Sequence, residues 1–424
     1  MAAALVWRLV LVLRTPVPSG DGCSYLWIAR QIAEGRVALG LSEVFPPGFP
    51  LLCAPFLALG GDDWTVGACV CVVAAALTVW PLVRIADLLR PGAGVSAAIL
   101  WVSSSLLARN AAEVFSEPTY LLAMAIGTLC GLRAQWWRLG IWSGIAFWIR
   151  PEGLVLAAAF VLVERRRALV ALVPVVLAVA ALAAFRWWHG QGFDPLPILA
   201  FHTNERDDLP ERGAVFANLV QVPLRWFEAF GGAGVLPLLL FVPALRSGRP
   251  AGALVWQVAM QIGAICTFVT RRRFLLSAAV PVIALAGVAA AALAPRTRRI
   301  VLVLLVAFEG VTAWRGVTDA DRVAERQVGE YFGQELRPGE RIVTDLTRIL
   351  WFAGQRPLWP RHFRVEELVA LAAAPDSRFV ALREKHESFP EIAKGIESGW
   401  VRAQLPERLD RSVRERGIAV FQRR

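Results

Sequence analysis

The chain has 424 residues, of which 56% are hydrophobic and 19% are charged. A composition this apolar excludes an ordinary soluble protein of this size and predicts many membrane-spanning helices. The net charge of +11 does not indicate nucleic-acid binding, because the excess arginines are spread over short segments and form no dense basic patch. We therefore expect membrane lipids, and no nucleic acid, around the protein.

The most informative stretch near the N-terminus covers residues 20–56. It places one acid, Asp21, between two glycines just after a short apolar segment. The apolar residues that follow recur every three or four positions, which predicts a helix that ends at Gly35. An acid at the end of a membrane segment, beside a helix suited to the interface, is a favourable place for chemistry. The alternative is an ordinary loop whose acid faces water.

Apolar runs broken by arginine, proline and glycine predict about eleven membrane spans. After the first helix, the runs cover 64–83, 94–108, 119–132, 139–149, 154–163, 169–185, 235–245, 252–269, 274–293 and 300–311. The predicted fold class is therefore a polytopic α-helical membrane protein.

The loops between these spans differ in charge. Five alternate loops are rich in arginine and poor in acid, at 84–90, 133–138, 165–167, 246–249 and 296–299. By the positive-inside rule these loops are cytoplasmic. The N-terminus is then also cytoplasmic, and Asp21 and the C-terminal segment lie on the extracytoplasmic side.

Some arginines on the predicted outer side break this rule. A cation kept where topology disfavours it usually serves a ligand or an ion pair, and guanidinium matches phosphate oxygens well. We predict that these residues, with one neighbouring acid, bind a substrate: Arg109, Arg150, Glu152, Arg271, Arg272 and Arg273. The alternative is a set of ion pairs with Glu113, Glu117 and Glu152.

The chain is predicted to form two domains. Residues 1–314 form the transmembrane domain, with a first outer loop at 15–63 and a long outer loop at 186–232 that we interpret as a lid. In 315–424, helices are predicted at 323–336 and Val365–Ala373, and strands at Arg341–Thr344, 379–382 and 417–422. This alternation predicts a small extracytoplasmic α/β domain, which we interpret as a structural or recognition cap.

Several motifs, in this order, resemble those of a known family. They are the Asp-Gly pair after the first span, the helix YLWIARQIAEG, the turn PPGFPLL, the span start SEPTYLL, the turn RPEGL and the span start RRFLLSAAVP. The chain thus resembles the GT-C-type glycosyltransferases, in particular the family 39-like group. Protein O-mannosyltransferases and the lipid A aminoarabinose transferase belong to the same superfamily.

The resemblance implies a multi-pass enzyme of a bacterial inner or plasma membrane. It implies a polyprenyl-phosphate sugar as donor, a lipid, glycan or protein as acceptor, and reaction on the extracytoplasmic face. Asp21 matches the catalytic acid of the first outer loop, but Gly22 stands where the family often has a second acid. Glu117 is our candidate for a catalytic partner from another loop.

In the resulting hypothesis, Asp21 takes the acceptor proton and the outer arginines stabilise the departing phosphate. The sequence identifies no cofactor, and metal dependence stays open, since some GT-C enzymes use a divalent cation and others do not. Only a few acids lie together on the outer side, which argues against a metal site. A transporter or flippase is the main alternative, but such proteins place ionisable residues near the midplane and use repeated halves. A catalytically silent GT-C relative is the other alternative.

Overall fold

We describe a computed structural model of the chain at residues 1–15, 17–195, 197, 214–234, 249–267, 272–316, 320–357, 365–384, 389–396 and 399–423. The chain divides into two compact units. The first contains Met1–Arg14 and Ile28–Val317, and the second contains Thr15–Trp27 and Thr318–Arg424. The described residues do not include the predicted span 235–245, residues 196 and 198–213 of the predicted lid, or Arg271.

Sixteen α-helices precede the C-terminal segment in the described part of the chain. They are α1 Ala2–Arg14, α2 Gly20–Ala33, α3 Val37–Leu41, α4 Gly48–Ala58, α5 Asp63–Leu77, α6 Val79–Leu89, α7 Gly94–Ser103, α8 Ser105–Ala112, α9 Glu117–Leu132, α10 Trp136–Ile149, α11 Leu154–Glu164, α12 Leu172–Trp188, α13 Ala214–Phe230, α14 Arg249–Cys266, α15 Ala279–Ala292 and α16 Pro295–Arg315. Short 3-10 helices occupy Pro151–Gly153, Arg165–Ala171, Gly231–Gly234 and Phe274–Ala278.

Three continuous helical stretches of the described chain are long and apolar enough to cross a membrane. They are Asp63–Leu89, Pro151–Trp188 and Phe274–Ala292. Shorter apolar helices cover Gly48–Ala58, Gly94–Ser103 and Ala251–Cys266. The total of about eleven spans stays a prediction.

The stretch Pro151–Trp188 is a helical hairpin. Its chain reverses at Arg165, which has a positive φ of 50°. Along α10, the Trp136 ring centroid lies 6.4 Å from that of Phe160, and the Ser143 hydroxyl donates to the Gly153 carbonyl at 2.7 Å, so α11 runs antiparallel to α10. A Cβ atom on Gly140 would clash with the Ala171 carbonyl oxygen, and the Trp148 indole donates to the Ala178 carbonyl at 2.8 Å, so α12 runs parallel to α10. The arginines at 165–167 therefore lie at the opposite end of these helices from Arg150.

The predicted span 94–108 is instead a broken pair of helices, α7 and α8. Ser104 leaves the helical region with ψ 115°, which frees the Trp101 carbonyl and the Ser105 amide. The Trp101 carbonyl accepts from the buried Arg8 guanidinium at 3.2 Å, and the Ser105 amide donates to the buried Glu309 carboxylate at 2.8 Å. A cation thus lies at a helix C-terminus and an anion at a helix N-terminus, the favourable sign at each end.

The C-terminal segment contributes a four-stranded sheet to the second unit, in the order β1-β2-β4-β3. The strands are β1 Arg341–Thr344, β2 Ser377–Arg383, β3 Trp400–Arg402 and β4 Ile418–Arg423, with β1 parallel to β2 and the other pairs antiparallel. Its helices are α17 Ala320–Glu335, α18 Thr347–Phe352, α19 Val365–Ala373, α20 Phe389–Ile396 and α21 Glu407–Glu415.

Alternating side chains of this sheet fill two separate cores. Phe379 faces α17, where its ring stacks on Phe332 with centroids 4.5 Å apart. Its neighbour Val380 faces the opposite core with Leu368 of α19. This alternation is the period of two expected for a sheet covered on both faces. The helices and strands predicted here agree with those observed to within a few residues, whereas the short strand β3 and the helices α18, α20 and α21 were not predicted.

Candidate active site

The turn between α10 and α11 is shaped by Pro151. The residue before a proline is disfavoured in the helical region, and Arg150 accordingly ends α10 in an extended conformation with φ −152° and ψ 137°. Helix α9 begins at Glu117, and Pro118 lies in its first turn, where the missing proline N–H costs nothing. Both local signals were visible in the sequence.

These two turns bring three of the predicted site residues together. Arg150 Nη1 lies 2.9 Å from Glu117 Oε1, and Arg150 Nη2 lies 2.9 Å from Glu152 Oε1. The side chains of Arg150, Glu117 and Glu152 are only 12%, 3% and 15% exposed. One guanidinium therefore bridges two carboxylates from different loops in a water-poor environment, where the charges are little screened.

Arg273 lies close to this cluster through aromatic rings. Its Cζ atom is 5.0 Å from the Phe274 ring centroid and 5.3 Å from that of Phe115. The Arg150 Cζ atom is 5.8 Å from the same Phe274 ring. Two arginines thus flank the ring of Phe274. Arg272 is exposed to solvent.

Polar groups that the sequence analysis did not select lie beneath this cluster. Gln257 and Gln261, one turn apart on α14, are fully buried. The Gln261 amide donates to the Tyr120 hydroxyl at 2.8 Å, and the Thr128 hydroxyl donates to Gln257 Oε1 at 3.2 Å. Two glutamines at helical spacing inside an apolar run were the available signal, since polar side chains within spans are commonly functional.

Some buried polar atoms here make no hydrogen bond within the described chain. They include Glu117 Oε2, Gln257 Nε2, Gln261 Oε1 and Ser277 Oγ, the last in the 3-10 helix Phe274–Ala278. Buried polar atoms in native proteins nearly always have a partner, and the exceptions are frequently met by a ligand or water. The cluster around Arg150 is therefore equipped to hold a polar ligand.

An apolar groove of about 700 Å³ lies between α4, α5, α9 and α10. Its lining includes Thr119 and Ile149, the near neighbours in sequence of Glu117 and Arg150. Cys69 also lines the groove and is the exposed member of the six cysteines, all of which are free thiols. An apolar channel next to a charged cluster has the form expected of a site for an amphiphilic ligand.

Arg109 makes different contacts from the other predicted arginines. Its Nη2 atom lies 3.2 Å from Glu113 Oε1, one turn further along the chain. The rest of its guanidinium lies against the Gly316 backbone, so closely that a Cβ atom on Gly316 would come within 2.6 Å of Arg109 Nη1. Arg109 is thus associated with the end of α16.

Asp21 belongs to the second unit, in the first turn of α2. Ser19 caps this helix, since its hydroxyl accepts from the Gly22 amide at 2.9 Å. Asp21 is 8% exposed, and an acid in a first helical turn is favoured by the helix dipole. The sequence did predict a helix here with its end at Gly35, which has a φ of 78°.

Residues of the C-terminal segment surround the start of α2. A Cβ atom on Gly20 would lie 4.0 Å from Arg348 Nη1. Arg348 Nε is bound to Glu325 Oε2 at 2.6 Å, and Arg383 Nη2 lies 2.7 Å from the other oxygen of the same carboxylate. Glu325 is 1% exposed. The buried ion pairs therefore fix the position of Arg348 beside the helix start.

Charged groups near the start of α2 shift the pKa of the buried Cys23 thiol. Burial raises its pKa well above the usual value, Arg348 lowers it, and Glu325 and Asp21 raise it further. Asp21, Arg348 and Glu325 are thus all within electrostatic range of one sulfur atom. Sequence reasoning could not identify Arg348 and Glu325, because no local pattern links them to residue 21.

Among the described residues, no three His, Cys, Asp or Glu side chains lie close enough together to hold a metal ion. The structure places the described residues that were predicted for the outer face in separate surroundings. Glu117, Glu152 and Arg150 contact one another, and Asp21 lies at the start of α2. Arg109 contacts Glu113 and the Gly316 backbone.

No protein-family model matches the chain. No curated protein matches it either.

Solved structures do match over nearly the whole chain. The crystal structure of ArnT from Cupriavidus metallidurans bound to undecaprenyl phosphate is similar over 99% of this chain and 96% of that one, with a TM-score of 0.64 and 13% sequence identity. ArnT in the apo state gives a TM-score of 0.59 at 13% identity and the same coverage.

A second kind of protein also matches. The archaeal oligosaccharyltransferase AglB from Archaeoglobus fulgidus, in complex with an inhibitory peptide and a dolichol-phosphate, is similar over 93% of this chain and 71% of that chain. Its TM-score is 0.57 at 11% identity. Identities this low show the fold alone. The chain has the GT-C fold of these membrane proteins, which confirms the fold that the resemblance implied.

Proposed function

We propose that the protein is a membrane glycosyltransferase that moves a sugar from a polyprenyl-phosphate-linked donor to an acceptor hydroxyl. The observation that carries the proposal is the match over 99% of this chain to a structure that holds undecaprenyl phosphate. The apolar groove beside Thr119 and Ile149 supports it, because a polyprenyl tail needs an apolar channel with a charged end.

In this proposal the donor phosphate lies near Arg273. Arg150 already bridges Glu117 and Glu152, so its positive charge is largely balanced. Its main role is then to hold the two carboxylates in place. Arg273, whose described contacts include two aromatic rings, supplies positive charge for the phosphate, and the exposed Arg272 adds to the local field. Such preorganised cations favour a transition state in which negative charge grows on the leaving group.

The proposed reaction is a single displacement with inversion at the anomeric carbon. The acceptor oxygen forms a bond to C1 while the bond from C1 to the phosphate oxygen breaks. The polyprenyl phosphate departs with the electron pair, and the acceptor proton passes to the carboxylate of Asp21. A phosphate is a fair leaving group, so the base has the harder task.

Glu117 is the proposed second carboxylate. Its Oε2 atom makes no hydrogen bond within the described chain, whereas its Oε1 atom is held by Arg150. An oriented, buried oxygen of this kind is suited to accept a hydrogen bond from a sugar hydroxyl. The gap left by Gly22, where the family often has an acid, gives this role more weight.

The proposed location is a multi-pass position in a bacterial inner or plasma membrane, with a cytoplasmic N-terminus. The arginine-rich turn at 165–167 and the Arg150 turn lie at opposite ends of one helical hairpin. The positive-inside rule then assigns the Arg150 end to the extracytoplasmic side. The acceptor is a lipid, a glycan or a protein that is reached from that side.

The test is to reconstitute the purified protein in liposomes with a radiolabelled polyprenyl-phosphate sugar and an extract of cell-envelope acceptors. Transfer of label, or slow hydrolysis of the donor, supports the proposal. Movement of intact donor across the bilayer without transfer points to a flippase, and donor binding without either event points to a silent relative. Both of these outcomes contradict the proposal.

A further inference from the structure

The end of α16 gathers three guanidinium groups. Arg14, at the end of α1, has its Cζ atom 3.4 Å from the Trp314 ring centroid. Arg315 follows Trp314 in the chain and is exposed. Arg109 lies against the next residue, Gly316. The guanidinium groups of Arg14, Arg109 and Arg315 therefore lie together at the end of α16.

The helices that carry these cations pack together. Leu11 of α1, Ala108 and Ala112 of α8, and Ala313 of α16 form one buried apolar cluster. Glu113 balances Arg109 in part, through the contact of 3.2 Å. Within the described residues, this end of the three-helix packing therefore carries an excess of positive charge on the side where the positive-inside rule disfavours it.

A pocket of about 670 Å³ opens beside these cations. Arg109, Arg315 and Gly316 line one end, and the rest is lined by Ala307, Phe308, Val311 and Thr312. No acid belongs to the described lining. Phe308 is 61% exposed and Val311 is 52% exposed, on a helix of 21 residues whose outward apolar side chains continue towards its start. The pocket is cationic at the helix end and apolar along the helix.

Gly316 is needed for this arrangement. Its φ of −85° is accessible to any residue, so backbone freedom does not explain the glycine. A Cβ atom at this position would lie 2.6 Å from Arg109 Nη1 and 2.8 Å from Arg109 Cζ. The absent side chain leaves room for the guanidinium to lie over the helix end, at the head of the pocket.

We propose that this pocket binds a glycerophospholipid with an anionic headgroup. The phosphate pairs with Arg109 and Arg315, and one acyl chain lies along Phe308 and Val311. Guanidinium groups match phosphate oxygens, and aligned apolar side chains below them match a chain that enters the bilayer. The proposal is independent of the proposed function and assigns Arg109 to a bulk membrane lipid instead of the sugar donor.

The experiment is native mass spectrometry of the full chain in a neutral detergent, titrated separately with phosphatidylglycerol, phosphatidylcholine and undecaprenyl phosphate. We expect one tightly held phosphatidylglycerol and weaker phosphatidylcholine. Arg315→Gln should weaken phosphatidylglycerol binding about fivefold, the effect of one arginine near an anionic lipid. Gly316→Ala should weaken it as well, because the added methyl group displaces Arg109.

Arg299→Gln is the matched control, since Arg299 is an exposed arginine at the other end of the same helix. It should leave phosphatidylglycerol binding unchanged. Equal affinity for the two glycerophospholipids, or equal losses in Arg315→Gln and Arg299→Gln, would overturn the proposal. If Arg315→Gln lost the binding of undecaprenyl phosphate but kept full binding of phosphatidylglycerol, the proposal would also be overturned. The pocket would then be assigned to the donor.

Discussion

Replacing Arg150 by methionine removes the guanidinium that bridges Glu117 and Glu152 and leaves both carboxylates buried. Each ion pair is 2.9 Å long between nitrogen and oxygen. At an effective dielectric constant of about 20, unit charges about 4 Å apart attract by about 4 kcal/mol. In the folded protein, the cost of desolvating the charges offsets much of this attraction. When only the cation is removed, the desolvation cost of the two buried carboxylates remains.

The expected loss in the free energy of unfolding for Arg150→Met is therefore about 3–5 kcal/mol, the usual effect of removing one partner from a buried ion pair. Arg150→Lys should lose less, because the charge is kept while the second hydrogen bond is lost. Glu117→Gln combined with Arg150→Met should be about 1–3 kcal/mol more stable than the sum of the single changes, because one of the stranded charges is gone.

The assay is reversible unfolding in mixed micelles, followed by intrinsic tryptophan fluorescence. Arg138→Met is the control, since Arg138 is an exposed arginine at the other end of the same helix and should change stability by less than about 0.5 kcal/mol. If the Arg150 and Glu117 effects add to within about 0.5 kcal/mol, the two side chains are energetically independent and the reasoning is refuted.

Three further results are expected. Undecaprenyl phosphate should slow maleimide labelling of Cys69, which lines the apolar groove. The buried Cys23 should stay unlabelled at pH 8, because burial raises its pKa. Unslowed labelling of Cys69 would place the lipid elsewhere. Glu309→Leu should lower the free energy of unfolding by about 1–3 kcal/mol, because the Ser105 amide at the start of α8 loses its acceptor. A free energy of unfolding equal to that of the wild type would contradict this role. Arg273→Gln should lower kcat for sugar transfer about tenfold to a hundredfold as a lost transition-state contact, and a change in KM alone would argue against it.

Features determined by local chemistry could be predicted from the sequence. Pro118 and Pro151 mark where two helices begin or end, and the residues beside them form the observed bridge from Glu117 to Arg150 and Glu152. Gly35 marks the end of α2. In each case the signal lies within a few residues of the feature that it specifies.

Features that depend on remote partners could not be predicted. No proline or glycine in the sequence marks the break at Ser104. The break is stabilised by Arg8 and Glu309, which satisfy the freed backbone groups from other helices. The acceptor role of Glu309 likewise depends on Ser105, which is remote from it in the sequence. Arg348 likewise reaches the start of α2 from the C-terminal segment, and only the folded chain brings it there.

A single-turnover assay tests the proposed role of Asp21 as the base in sugar transfer. Purified wild type and Asp21→Asn are compared for transfer from a labelled polyprenyl-phosphate sugar, with the Kd for undecaprenyl phosphate and the unfolding temperature measured in parallel. If Asp21 is the base, the rate of transfer by Asp21→Asn should fall by about a hundredfold to ten-thousandfold, with donor affinity and stability retained. Transfer at the wild-type rate by folded Asp21→Asn would contradict it.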